Sequence, residues 1–260
     1  MDGFDPEAAA TALTAALRPL GNAERAAQEK RYLKSDLEFI GVTVPVLRRT
    51  VRSAVKDFLA AGGQPRRRLD HDTALAWALA LWRQPVHECR AAAIEILQLA
   101  IGTLNAPDLA VLEQLIRESG TWAYVDTLAG NIAGTIALRD PAAWELVEVW
   151  AADGDFWVRR SALLTLLPGI RAGQPDRPRF VRYAAPMLAE REFFIRKAIG
   201  WVLRELSRRE PDWVAAWTEE QLTEMSGVTF REAVRRLPAA EKSRLELRRV
   251  QLKSPARRSA

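Results

Sequence analysis

Several residue types and patterns that support common chemistries are scarce or missing from this 260-residue chain. Its single cysteine, Cys89, excludes an internal disulfide, a cysteine-held iron–sulfur cluster and a thiolate zinc finger. It suits a reducing compartment and reads as a small core residue. The two histidines, His71 and His87, are not spaced to share one face of a single helix, which argues against a histidine metal site or a Ser-His-Asp triad. Neither GxGxxG nor GxxxxGK[ST] occurs, so no phosphate-cradling loop is expected, and Gly62-Gly63 reads as a linker turn. No run of about 18 apolar residues suggests a membrane span. The opening MDGFDPEAAATALTAAL is acidic where a secretory leader is basic. A cytoplasmic protein with no metal and no cofactor is the expectation.

Charge is present, but it is unevenly placed. Residues 241–260 carry seven Lys or Arg against two Glu, which accounts for the entire net charge of +5. The body before Glu241 is formally neutral, so any polyanion-binding face there must come from local arrangement. Residues 1–240 are accordingly read as one domain. Residues 241–260 are read as a basic, flexible tail that adds salt-sensitive attraction to phosphates.

Strand signals are few, whereas apolar residues recur at three- and four-residue spacing almost throughout, as in AAAIEILQLAI and KAIGWVLREL. The expected fold is all-α. Helices are expected over about 6–18, 22–34, 45–60, 71–83, 86–101, 107–118, 121–137, 141–151, 156–168, 177–190, 193–208, 211–225 and 229–238, with Gly and Pro near the boundaries. Three segments align without gaps: VHECRAAAIEIL from Val86, FWVRRSALLTLL from Phe156 and FFIRKAIGWVLR from Phe193. Their basic anchors are Arg90, Arg160 and Lys197. A period of about 35 residues places a fourth copy at TWAYVD, from Thr121 to Asp126. A ring then recurs as His87, Trp122, Trp157 and Phe194. The position held by Ala91, Ser161 and Ala198 is held in the fourth copy by Asp126. Such a period points to a helical-repeat solenoid, curved with a concave groove. A repeat position that is small in three copies and acidic in one has left structural service, which marks Asp126 as a candidate functional residue.

Nine tryptophans are many for this length. Trp77, Trp82, Trp144 and Trp150 sit among Leu, Val and Ala and read as core. Trp122 and Trp201 differ, because each has a charged residue one helical turn away, Asp126 and Lys197 respectively. Arg159-Arg160 and Arg196-Lys197 are either donors to phosphate oxygens, an ordinary solvated face or partners in interhelical pairing. Rings and an acid flanked by arginines suggest recognition of a cationic centre on a polyanion.

Four segments, in order, resemble a known family: RYLKSDLEFIGVTVPVLRR, TWAYVDTLAGNI, DFWVRRSALL and EFFIRKAIGWVLRE. They are similar to the AlkD-type bacterial DNA alkylation repair glycosylases, and the likeness extends over roughly residues 25 to 240. It implies a HEAT-like repeat solenoid whose concave groove binds DNA. The implied activity is hydrolysis of the N-glycosidic bond of N3- and N7-alkylated purines, without metal or cofactor and without flipping the lesion into a tight pocket. By the same resemblance Asp126 is the catalytic aspartate, and Trp122 and Trp201 face the deoxyribose of the lesion. Arg160 and Arg204 approach phosphates, with Lys197 beside them, and Tyr32 lies near the damaged duplex. The expected partner is duplex DNA containing an alkylated purine, met by a nucleoid-associated monomer. Some similar proteins in antibiotic-producing bacteria release bulky minor-groove adducts as self-protection, which the resemblance brings within range. Thr121, Ala123 and Tyr124 depart from the family pattern around the tryptophan. The alternative is a non-catalytic HEAT-like DNA-structure binder or protein-interaction scaffold, against which the joint presence of Asp126, Trp122 and Trp201 argues.

Overall fold

A computed structural model describes residues 4–63 and 68–253. The fold is an all-α helical repeat, and among the described residues the only β pairing is an isolated parallel bridge between Glu38 and Val86. No helix among them is long and apolar enough to cross a membrane. The chain divides into two compact units, Met1–Leu128 and Ala129–Ala260.

The first unit contains α1 (Pro6–Leu17), α2 (Ala23–Leu33), α3 (Val44–Ala61), α4 (His71–Arg83), α5 (His87–Leu99), α6 (Leu109–Arg117) and α7 (Trp122–Thr127). Starts are set by short acceptor side chains. Asp5 accepts from the backbone N–H groups of Glu7 and Ala8, Asn22 from Arg25, and Asp70 from Thr73. Helices α4 and α5 form an antiparallel pair against which α1 and α3 pack. Trp77, Trp82, Ala92, Ala93 and Ile96 fill that core. Cys89 lies fully buried with its Sγ 3.2 Å from Thr14 Oγ1, and burial pushes its thiol pKa up, as befits a packing residue.

The second unit contains α8 (Gly134–Arg139), α9 (Ala143–Trp150), α10 (Phe156–Leu164), α11 (Leu167–Arg171), α12 (Arg177–Met187), α13 (Phe193–Leu206), α14 (Pro211–Glu220), α15 (Gly227–Ala233) and α16 (Ala239–Lys253). Helix α13 is its centre, packed on α15 and α10. Ile195, Ala198, Ile199, Val202 and Leu203 form its buried face. Trp150 is fully buried, whereas Trp144 is only half-buried and lies under the Arg179 guanidinium at 4.0 Å.

Three expectations need correction. The helix expected over 156–168 ends at Leu164, and Pro168 lies in the first turn of α11 instead of closing α10. Proline lacks only an N–H that the first turn leaves unpaired anyway, so it starts a helix as readily as it stops one. The helix expected over 121–137 divides into α7, a π-helical segment over Leu128–Ala133, and α8. The tail read as flexible from 241 is helical as far as Lys253, because Leu245 is buried and Arg249 donates to the Met225 carbonyl at 2.9 Å while lying 4.4 Å from the Phe230 ring centre. Residues 254–260 of that tail lie outside the described residues.

Candidate active site

Helix α7 begins where Gly120 takes a left-handed turn at φ 60° and the extended Thr121 accepts from the Ala123 N–H at 3.3 Å. Trp122 is then its first residue and Asp126 lies one turn further along the same face. Of the four rings aligned by the repeat, Trp157 is buried, His87 and Phe194 are half-buried, and Trp122 is 37 % exposed. Ser161 and Ala198, equivalent to Asp126, are fully buried, while Asp126 is half-buried. The copy that carries the carboxylate therefore also presents its ring outward. Directly after this turn the backbone runs as a π-helix, a rare form that recurs at functional positions.

A chain of buried contacts holds α7 from beneath. The Tyr124 hydroxyl pairs with His87 Nδ1 at 2.5 Å and donates to the His87 carbonyl at 3.2 Å. His87 stacks on Phe39, with centroids 4.4 Å apart and planes 10° from parallel. Burial depresses the His87 pKa, against a smaller opposing effect of the Glu88 charge, and burial raises that of Tyr124. Phe39 belongs to the loop between α2 and α3, which the buried Glu88 carboxylate pins by accepting from the N–H groups of Ile40, Gly41 and Val42 at 2.9, 2.6 and 3.1 Å. Gly41 is required here: its φ is 82°, and a Cβ would stand 2.1 Å from the Asn22 carbonyl oxygen. The loop thus packs against the start of α2, which ends where Lys34 takes a left-handed conformation at φ 51° and its N–H donates to the Lys30 carbonyl. There Tyr32, 72 % exposed, meets Trp122 edge-on with centroids 6.3 Å apart. Tyr32, Trp122 and Asp126 are brought together in the first unit. Lys30, Arg31 and Lys34 are exposed beside Tyr32 in the chain. The cluster KRYLK carries that charge in the sequence.

The second unit holds the other candidates. On α13, Trp201 is half-buried, with Lys197 one turn before it and Arg204 one turn after it. Both cations are bound by Glu232 of α15: Lys197 Nζ lies 2.7 Å from Oε1, and Arg204 pairs with Oε2. Burial pushes the Glu232 carboxyl pKa up, but the Lys197 hydrogen bond and the Arg204, Lys197 and Arg235 charges outweigh it and hold the group below the ordinary carboxylate range. Glu232 was not anticipated, because its spacing from α13 carries no helical periodicity.

Arg160 is placed otherwise than expected. It is only 4 % exposed, and its guanidinium donates to the Phe194 carbonyl at 2.5 Å. Arg90, its repeat equivalent, does the same to the Glu118 carbonyl at 2.8 Å. Arg160 thereby clamps its repeat to the next, which takes it away from phosphate. Arg159 pairs with Glu190 at 2.8 Å, and Arg196 donates to the Glu190 carbonyl at 2.7 Å, so both tie their helices to the connection between α12 and α13. Among the described residues no group of three or more His, Cys, Asp or Glu is arranged to hold a metal ion.

The family model of DNA alkylation repair enzymes matches residues 13–237, most of the chain. The chain belongs to that family. Membership makes it a DNA alkylation repair enzyme and makes DNA its partner. A solved structure described as a predicted DNA alkylation repair enzyme from Enterococcus faecalis aligns with a TM-score of 0.70 at 21 % identity, covering 84 % of this chain and 97 % of that one. At that identity the likeness supports the helical repeat fold alone. No curated protein matches the chain.

Proposed function

We propose that this DNA alkylation repair enzyme is a monofunctional glycosylase for cationic N3- and N7-alkylated purines in duplex DNA. The observation that carries the reading is the pairing of an exposed Trp122 with Asp126 one turn away, at repeat positions that elsewhere hold less exposed rings and uncharged small side chains. Alkylation at N3 or N7 gives the purine a positive charge, so the bond from N9 to C1′ breaks with its electron pair leaving as a neutral base. The sugar acquires oxocarbenium character, which a nearby carboxylate stabilises and a ring face favours. Asp126 takes the first role and also orients the water, whose oxygen bonds to C1′ as its proton passes to the Asp126 carboxylate. Trp122 takes the second, with Tyr32 set against its ring. Because Trp122 and Tyr32 stand exposed, a lesion can be met without extrusion into a closed pocket, unlike most enzymes that act on bases. The same exposure leaves room for bulky N3 adducts, which extends the proposed substrates to those of a self-resistance enzyme.

The test is base release from methylated duplex DNA together with an oligonucleotide bearing one bulky N3-adenine adduct. Wild-type protein is expected to release 7-methylguanine, 3-methyladenine or the bulky base. Asp126→Asn is expected to lower single-turnover release by about 100-fold or more with duplex affinity nearly unchanged. Trp201→Ala forms a separate arm, expected to slow release. Release of none of these bases by the wild type would sink the proposal in favour of a non-catalytic DNA binder.

A further inference from the structure

The cations flanking Trp201 are not simply presented to solvent. Lys197 and Arg204 lie one turn either side of the indole, and one carboxylate beneath the helix holds both. The Glu232 side chain is 11 % exposed, against 43 % for Lys197 and 20 % for Arg204. A third cation, Arg235, lies 3.9 Å from the same carboxylate. The arrangement depends on an unusually close approach of α13 and α15. A methyl at Gly200, the residue before Trp201, would stand 2.5 Å from Glu232 Cβ and 3.0 Å from the Thr229 carbonyl oxygen. Thr229 Oγ1 also donates to the Arg196 carbonyl at 3.1 Å, locking the two helices in register. A small residue in α13 and an acid in α15 therefore place a buried negative charge under a basic face.

We propose that Glu232 is a specificity-determining residue, one that restrains Lys197 and Arg204 and so weakens the grip of this face on undamaged DNA. The inference rests on DNA as partner and does not depend on the glycosylase reading. Affinity for ordinary duplex comes from displacing counterions with Lys and Arg, and each phosphate neutralised steepens its salt dependence by about 0.9. A cation already paired with a buried carboxylate must surrender that pair to gain a phosphate, and the unpaired carboxylate left behind repels the duplex. An enzyme that inspects much undamaged DNA for rare lesions has to release it. A restrained pair beside a ring favours sites that engage the ring over sites that offer only phosphate.

The experiment measures affinity of the full chain for an undamaged duplex across a salt series, with thermal melts confirming that each variant folds. Glu232→Gln keeps the shape and removes the charge. It is expected to bind several-fold tighter at low salt, with a slope of log K against log salt steeper by about one to two. Adding Lys197→Gln to it is expected to remove about one unit of that gain. In the otherwise unaltered chain Lys197→Gln, which changes a partly exposed side chain, is expected to shift the slope by less than about half a unit. That arm keeps the test valid even if Glu232→Gln does not fold. Unchanged or weaker binding by a folded Glu232→Gln variant would overturn the proposal, as would a full-unit loss of slope from Lys197→Gln alone. A failure of base release leaves these outcomes untouched, so the two proposals fail separately.

Discussion

Replacing Glu88 by alanine should come close to unfolding the first unit. The carboxylate accepts three backbone N–H groups, those of Ile40, Gly41 and Val42, and is 1 % exposed. A buried donor that loses its acceptor costs about 1–3 kcal/mol. Gly41 and Val42 are buried, while Ile40 is half-buried and partly recovered by water. Three donors on that scale, less what water restores in the space left behind, amount to about 3–5 kcal/mol. Domains of this kind are stable by about 5–15 kcal/mol in all, so the loss is a large share. Glu88→Gln keeps an acceptor oxygen but turns an amide N–H toward a donor, and should fall between the alanine variant and the wild type. The measurement is urea unfolding followed by far-ultraviolet circular dichroism, which reads the loss of helix across the chain. The carboxylate also fixes the loop that seats Phe39 on His87, and His87 bonds Tyr124 of the helix carrying Trp122 and Asp126. On the proposed glycosylase activity, the folded fraction of either variant should therefore release base more slowly than the wild type. An alanine variant within about 1 kcal/mol of the wild type would show that the loop holds itself, and would refute the pinning argument.

Two further expectations follow from the same framework. His87 has its folded pKa depressed by burial, so its contribution to stability is complete above the unfolded value of about 6.5 and is lost as pH falls through that value toward the folded one. In a His71→Asn background, which removes the opposing titration of a histidine whose pKa Asp72 and Asp108 raise, the melting temperature should drop between pH 7 and pH 5, and a flat profile would contradict this. Removing residues 254–260 should flatten the salt dependence of duplex binding with little change in melting temperature, whereas removing 241–260 should also destabilise the second unit by uncovering the Leu245 seat and deleting the Arg249 bond to Met225. Equal melting temperatures for the two truncations would show that α16 contributes nothing to the fold.

How much was legible in the sequence depended on whether a feature was periodic. The helix expected over 71–83 is found at those bounds, with Asp70 capping its start, because caps and breakers act over a few residues. The division of 121–137 into α, π and α segments was not legible, since apolar periodicity runs smoothly through LAGNIAGTIAL while the backbone changes its hydrogen-bond spacing beneath it. The tail was misread because seven cations concealed a single apolar anchor, Leu245, and because Arg249 is a core-contacting residue by virtue of where Met225 and Phe230 lie.

Arg160 is the more instructive failure, because the logic that singled out Asp126 applied equally to it. A residue that departs from its repeat is a candidate for chemistry, and one that conforms is a candidate for architecture. Arg160 conforms: it aligns with Arg90, and both donate to a backbone carbonyl later in the chain. Lys197 stands in the same register, but its acceptor is the Glu232 side chain rather than a carbonyl. A carbonyl acceptor in a folded helix is neutral and fixed, so the bond to it is permanent structure. A carboxylate acceptor competes with phosphate for the same cation, so the last copy of the anchor is the one that can exchange its partner when DNA arrives. A changed residue at Asp126 and a changed partner at Lys197 are thus departures of different kinds, and only the first is visible without coordinates.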